Sequence, residues 1–210
     1  MKSLEIAVCG AGPAGLAAAL LLHRAGHRIT LFERFDTPQP LGSGLILQPT
    51  GLTVLHALGL LDDIMERGSR IHRLVGADTS SGRTVLDVRY AANRRSSRFG
   101  LAVHRAALFG VLHRAVTAAG IAIETSCEIT GLEQGASGAR LLMEEGRHAG
   151  PFDLVVDALG ARSKLRGICE GAREAVELDY GAFWASLDWV GEGFVPDALS
   201  QRYRRANVMI

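Results

Sequence analysis

Apolar residues run almost unbroken from Leu4 to Cys9, the pattern of a parallel strand buried on both faces. A glycine-rich turn follows at once, Gly10-Ala11-Gly12-Pro13-Ala14-Gly15. The next apolar stretch has helical character from about Ala14 to Ala25, and Gly26 is its natural stop. "HRITLFE" then predicts a second strand that closes on Glu33. This order of strand, turn, helix and strand opens a parallel α/β layer.

The pattern changes after Arg34. "FDTPQPLGSGLILQPTG" is rich in Pro and Gly and predicts a long ordered loop. "LTVLHALGLLDDIMERG" predicts a helix broken near Gly59, with Asp62 and Asp63 as an exposed pair beside it. "IHRLVGADTSSGRTVLDVRY" predicts two strands around a Ser-Ser-Gly turn. From His104 to Gly120 the spacing is that of an amphipathic helix ending in glycine. "IAIETSCEITGLEQGASGARLLMEEG" predicts a meander, with turns at Gly131 and at Gly135 to Gly138. Asp153 to Ala158 predicts a buried strand that leads into another glycine turn. The stretch from Tyr180 onward is aromatic and strand-like, and it stops at "ANVMI" inside an apolar run. An uncovered sheet edge there leads us to expect the N-terminal portion of something longer, completed by a C-terminal half or a partner chain.

Composition narrows the classes. A net charge of +1 over 210 residues gives no electrostatic footprint for nucleic acid or an anionic membrane. "NRRSSR", residues 93 to 98, reads as a solvated hairpin loop in that neutral setting. Cys9, Cys127 and Cys169 are widely spaced, which excludes a disulfide framework or a zinc site and points to a reducing compartment. Cys9, inside a strand, reads as a buried inert thiol. The chain enters a strand directly, leaving no room for a signal peptide, and the apolar run Leu16 to Leu22 is too short to span a bilayer. The expectation is a soluble cytoplasmic protein without membrane partners. His23 and His27 lie one turn apart, with no third ligand evident, and read as surface histidines; no metal site is expected.

The chemistry lies in the first turn. In a G-x-G-x-x-G turn, Gly10 permits the tight bend, Gly12 lets backbone approach a pyrophosphate, and Gly15 lets helix pack close to strand. Pro13 suits a first helical turn, where its missing N–H is not needed. Phosphate then meets the positive helix end near Ala14. Glu33, 18 residues after Gly15, accepts hydrogen bonds from adenosine ribose hydroxyls and disfavours a 2′-phosphate. Strand, turn, helix and acid agree on a dinucleotide.

Four segments in order resemble the FAD-dependent aromatic-ring monooxygenases, the group of p-hydroxybenzoate and salicylate hydroxylases. They are GAGPAG with Glu33-Arg34, Leu41 to Asp62, "VHRAALFGVLHRA", and Asp153 to Arg166. The resemblance covers nearly all of residues 1 to 170. It implies an α/β fold: a Rossmann-like FAD-binding domain with an inserted β-meander, plus part of a β-sheet substrate domain. It implies an FAD-binding domain of residues 1–69 and 100–170, and a partial substrate domain of residues 70–99 and 171–210. Arg105 matches the arginine that reaches the flavin pyrophosphate and ribityl chain. Asp157 and Gly160 fall in the motif usually written G-A-D-G-x-x-S-x-x-R, but its aspartate is Leu159 here and its preceding glycine is Asp157. Either Asp157 substitutes as acceptor or backbone groups suffice; related flavin reductases and halogenases carry similar turns. The family's later G-D motif has no counterpart before Ile210.

The implied chemistry is reduction of FAD by NADH or NADPH, then hydroxylation of a small aromatic or other electron-rich molecule through a flavin hydroperoxide. That route needs a dry pocket, expected between residues 43–48 and a sheet carrying Phe183, Trp184 and Trp189. No catalytic side chain stands out. The alternatives are a flavin-dependent reductase or halogenase relative, and a non-catalytic FAD-binding fragment. An NAD-dependent dehydrogenase is disfavoured, because the region after residue 120 reads as a meander instead of βαβ repeats.

Overall fold

The computed structural model describes residues 2–39, 42–90, 98–168, 171–173, 176–185, 187–188 and 193–204. In chain order its elements begin with β1 (Glu5–Cys9), α1 (Pro13–Arg24) and β2 (Arg28–Phe32). There follow β3 (Gly44–Leu47), α2 (Pro49–Ala57), α3 (Leu61–Met65), β4 (Gly68–Ile71), β5 (Arg73–Asp78), β6 (Thr84–Arg89) and β7 (Gly100–His104). The chain continues with α4 (Arg105–Ala118), β8 (Ala122–Glu124), β9 (Ile129–Gly135), β10 (Gly138–Met143), β11 (His148–Phe152), β12 (Leu154–Asp157) and β13 (Ala198–Tyr203). Two compact units result: Met1–Leu41 with Leu108–Phe183, and Gly42–Ala107 with Trp184–Ile210.

In the first unit, β1 is the central strand because its side chains are apolar on both faces: Ile6, Ala7, Val8 and Cys9 are at most 1% exposed. It pairs in parallel with β2 on one side and β12 on the other, and β8 extends the sheet beyond β2. Helix α1 buries Gly15, Leu16, Ala19 and Leu20, one stripe of its surface, as the helical period requires. The antiparallel meander β9–β10–β11 is a separate sheet. Ile129, Leu141 and Met143 of that meander share a buried cluster with Ala7, Cys9 and Phe32, and Phe152 meets Phe32 edge-on at 5.8 Å. The Rossmann-like layer with its inserted meander is therefore present.

The second unit holds two three-stranded sheets, ordered β3-β7-β4 and β13-β5-β6. Gly59, at φ +67°, breaks the helical stretch into α2 and α3, with Asp62 and Asp63 exposed in the first turn of α3. The turn between β5 and β6 is organised by Asp78, whose carboxylate accepts from the N–H and O–H of both Ser80 and Ser81.

Four expectations are corrected. The loop expected over residues 35–51 contains β3, paired antiparallel with β7, and the start of α2. Pro49 there opens a helix instead of breaking one, since first-turn N–H groups have no intrahelical partner. Gly131 lies within β9 opposite Leu142 and makes no turn. The strand expected as buried, β12, sits at the sheet edge among the described residues, paired there with β1 alone: Leu154 is 43% exposed, while Val155 packs against the buried cluster. Past residue 180 the one strand among the described residues is β13, which pairs in parallel with β5. Phe183 and Trp184 lie outside any strand and are exposed, because aromatic β propensity acts only where a partner strand is available. Trp189, Cys169 and most of "NRRSSR" fall outside the described residues. No helix among the described residues is long and apolar enough to cross a membrane.

Candidate functional site

The glycine turn lies at the carboxyl end of β1, where the chain's crossovers diverge: β2 flanks one side of β1 and β12 the other. Ligands of open parallel sheets bind at such a switch point. The three glycines separate cleanly by what an added Cβ would meet. At Gly10, with φ +103°, it would lie 2.5 Å from the carbonyl oxygen of Ala158. At Gly15 it would lie 1.9 Å from the carbonyl oxygen of Gly10. At Gly12 it would meet no atom within 4 Å. Two glycines thus serve close backbone packing, and the middle one faces open space into which a ligand can come. Gly12 is the N-cap of α1, and Pro13 and the exposed Ala14 begin its first turn. Backbone N–H groups of that turn carry the helix's positive end.

Glu33 follows β2 directly and is half-buried. One carboxylate oxygen accepts the Ala11 N–H at 2.9 Å and the other accepts the Phe35 N–H at 3.1 Å. The acid is thereby locked against the glycine turn, and each oxygen keeps a lone pair for a further donor. Arg34 is exposed, and its guanidinium lies over the Phe35 ring, 4.6 Å from the centroid.

The second turn of this unit leaves β12 at Asp157. Its carboxylate accepts the Leu159 N–H at 3.0 Å and the Ser163 O–H. Leu159 packs against the buried cluster of Cys9, Phe32 and Leu165, so its side chain belongs to the core. Gly160, exposed and at φ +81°, carries the chain into a short 3₁₀ segment. Beyond it, a cavity of about 760 Å³ is lined by Arg162, Ser163, Arg166 and Arg173 among others; the glycine turn takes no part in it. Burial pushes the Cys9 thiol up to about 12, with the Asp157 charge adding to the effect. His27 Nδ1 accepts the Leu4 N–H at 3.3 Å. No group of three metal-ligating side chains occurs among the described residues.

Arg105 belongs to the second unit, as the first residue of α4. Its N–H donates to the Ser43 carbonyl at 3.1 Å, and the next N–H, of Ala106, is capped by His104 Nδ1 at 3.2 Å. Gly42, at φ +105°, passes beneath its side chain: a Cβ there would fall 2.8 Å from Nη1 and 3.1 Å from Cδ.

The structure therefore brings Gly10, Gly12, Pro13, Ala14, Gly15, Glu33, Asp157 and Gly160 to the carboxyl ends of neighbouring strands in one unit. Sequence reasoning missed Ser163 and Gly42. The serine of the D-G-like motif was a signal for Ser163, whereas nothing local to Gly42 announced a packing partner 63 positions away.

Comparison with known proteins accords with this geometry. The FAD binding domain family matches residues 3–187. The chain is 31% identical over 168 residues to 3-amino-4-hydroxybenzoate 2-monooxygenase of Streptomyces cremeus, covering 79% of this chain and 42% of that protein. It is 29% identical over 171 residues to 6-hydroxynicotinate 3-monooxygenase of Bordetella bronchiseptica, covering 80% and 44%. Among solved structures, 2-methyl-3-hydroxypyridine-5-carboxylic acid oxygenase superposes with a TM-score of 0.68 at 27% identity, covering 80% of this chain and 42% of that one. The chain thus spans about two-fifths of the length of the relatives it matches. The resemblance carried by the four motifs is borne out, and the chain belongs to the FAD binding domain family.

Proposed function

We propose that this chain binds FAD as part of a cytoplasmic, NADH- or NADPH-dependent monooxygenase that hydroxylates a small aromatic or other electron-rich substrate. The observation that carries the reading is the division of labour in the glycine turn: Gly10 and Gly15 are closed by backbone, and Gly12 is open. An open cradle at the N-terminus of α1 suits the FAD pyrophosphate, received by N–H groups of the first helical turn near Ala14 and Gly15. Glu33 would take the adenosine ribose hydroxyls on its remaining lone pairs, and its charge favours FAD over a dinucleotide bearing a 2′-phosphate. Arg34 would flank the adenosine end. Arg105 would offer a guanidinium to the pyrophosphate and ribityl chain, and the turn from Asp157 to Gly160 would border the ribityl chain.

Bound FAD would supply reduction by the nicotinamide donor and transfer of one oxygen atom of O₂ to the substrate. This chain's own part is to bind, to orient and to exclude water. Residues 1–69 and 100–170 are assigned to FAD binding, and 70–99 with 171–210 to the substrate side. Support for that grouping comes from β5, β6 and β13, which draw residues from both latter segments into one sheet.

The test is the visible spectrum of the purified chain after desalting, followed by an FAD fluorescence-quenching titration and NAD(P)H oxidation with aromatic substrates. Retained flavin bands or micromolar quenching with substrate-stimulated oxidation is the expected result. Flavin binding without oxidation would leave FAD binding as the function of this chain alone. A colourless protein that ignores FAD refutes the reading.

A further inference from the structure

We infer that Asp157 is a positioning residue that holds the second ligand-facing turn in shape through Ser163, and that the turn meets FAD with backbone groups instead of a carboxylate. The inference rests on the FAD reading above and concerns how that site is built. The motif's usual acceptor position is Leu159, which packs into the buried cluster and offers nothing to a hydroxyl. Asp157 is the nearest acid and the obvious substitute, but each of its oxygens already takes an internal donor, which fixes the carboxylate within its own turn. One accepts the Leu159 N–H at 3.0 Å and the other the Ser163 O–H. Ser163 Oγ in turn accepts the Leu165 N–H at 3.0 Å. A single carboxylate therefore ties together residues 157, 159, 163 and, through the hydroxyl, 165. Leu165 is 3% exposed in the same core as Cys9 and Phe32, so the relay is anchored at both ends.

This turn bears directly on the glycine turn. Ala158 donates its N–H to the Cys9 carbonyl at 2.9 Å. The Ala158 carbonyl oxygen lies 2.5 Å from where a Cβ of Gly10 would be, and the Ala158 Cβ lies 3.4 Å from where one of Gly15 would be. A shift of the Asp157 turn is consequently felt at both closed glycines of the phosphate cradle. Charge points the same way. A carboxylate aimed at a pyrophosphate repels it, whereas one that takes an internal N–H and an internal O–H donor has its charge partly offset.

A double-mutant cycle on the full chain decides the matter. Asp157→Ala and Ser163→Ala should each weaken FAD binding by about tenfold, a difference of about 1.4 kcal/mol. The double variant should be no weaker than the worse single one, because both changes cut the same relay. Asp157→Asn keeps an acceptor for Leu159 and a polar partner for Ser163, and should restore most of the affinity. Circular dichroism confirms that each variant is folded. Amide exchange of the ligand-free chain should show Leu159 and Leu165 exchanging faster in both alanine variants. Asp157 acting as a direct ligand would appear as a loss in Asp157→Ala with Ser163→Ala unchanged, or as additive losses; either overturns the inference. A wild-type chain that ignores FAD sinks the flavin reading alone. The relay is then decided by exchange: faster exchange upholds it and unchanged protection overturns it.

Discussion

A Cβ at Gly15 would sit 1.9 Å from the Gly10 carbonyl oxygen, about 1.5 Å inside ordinary van der Waals contact. The obstructing atom is backbone, directly after β1 and tied to β2 by the Gly10 N–H on the Phe32 carbonyl at 2.7 Å, so no rotamer change relieves the clash. Gly15→Ala should therefore cost about 3 kcal/mol, the upper part of the overpacking range. For a chain of this length that lowers Tm by about 6–12 °C. Gly12→Ala adds the same methyl three positions earlier, where no atom lies within 4 Å and φ is −70°. A poorer N-cap and a less flexible unfolded chain are small and opposed, leaving stability within about 0.5 kcal/mol of wild type. The methyl would instead occupy the space a pyrophosphate approaches. Losing one charge-assisted N–H contact corresponds to about 10–100-fold in Kd. Thermal melts of both variants, paired with FAD fluorescence quenching, provide the comparison. The reasoning is refuted if Gly12→Ala melts as low as Gly15→Ala, or if Gly12→Ala binds FAD like the wild type.

Three further outcomes follow from the same structure. Gly42→Ala forces an L side chain to φ +105° against Arg105, and should cost about 1–2 kcal/mol, or a Tm loss of about 2–8 °C; an unchanged melt would refute the packing. The hydroxyl donors Ser80 and Ser81 lower the Asp78 pKa from 3.8 to about 2. A folded value below the unfolded one means the stabilisation is complete above about pH 3.8 and is lost as pH falls toward 2. A carboxyl chemical-shift titration should give a midpoint near 2, moving up when both serines become alanine. Cys9, fully buried with its thiol pushed up to about 12, should resist iodoacetamide at pH near 8 until the chain unfolds; mass spectrometry of rapid labelling of Cys9 in the native state would contradict its placement.

The sequence by itself determined the first unit's nucleotide-binding opening. Its signals are local there: an apolar run for β1, glycines at fixed spacing, and an acid at the end of β2, each read within a few residues of where it acts. The breaks at Gly26, Gly59 and Gly120 were legible for the same reason, since a positive φ is a property of one residue. Tertiary structure decided whatever depends on a distant partner. β12 has the composition of an interior strand, but its exposure was set by its place at the sheet edge. Residues 44–47 became a strand because β7 pairs with them, whereas Phe183 and Trp184 pair with no strand among the described residues. At the site, only the fold showed that Leu159 faces the core, that Ser163 and Leu159 each donate to the Asp157 carboxylate, and that Gly42 makes room for Arg105. Local backbone preference is encoded residue by residue, whereas the partner of a side chain is a property of the folded chain.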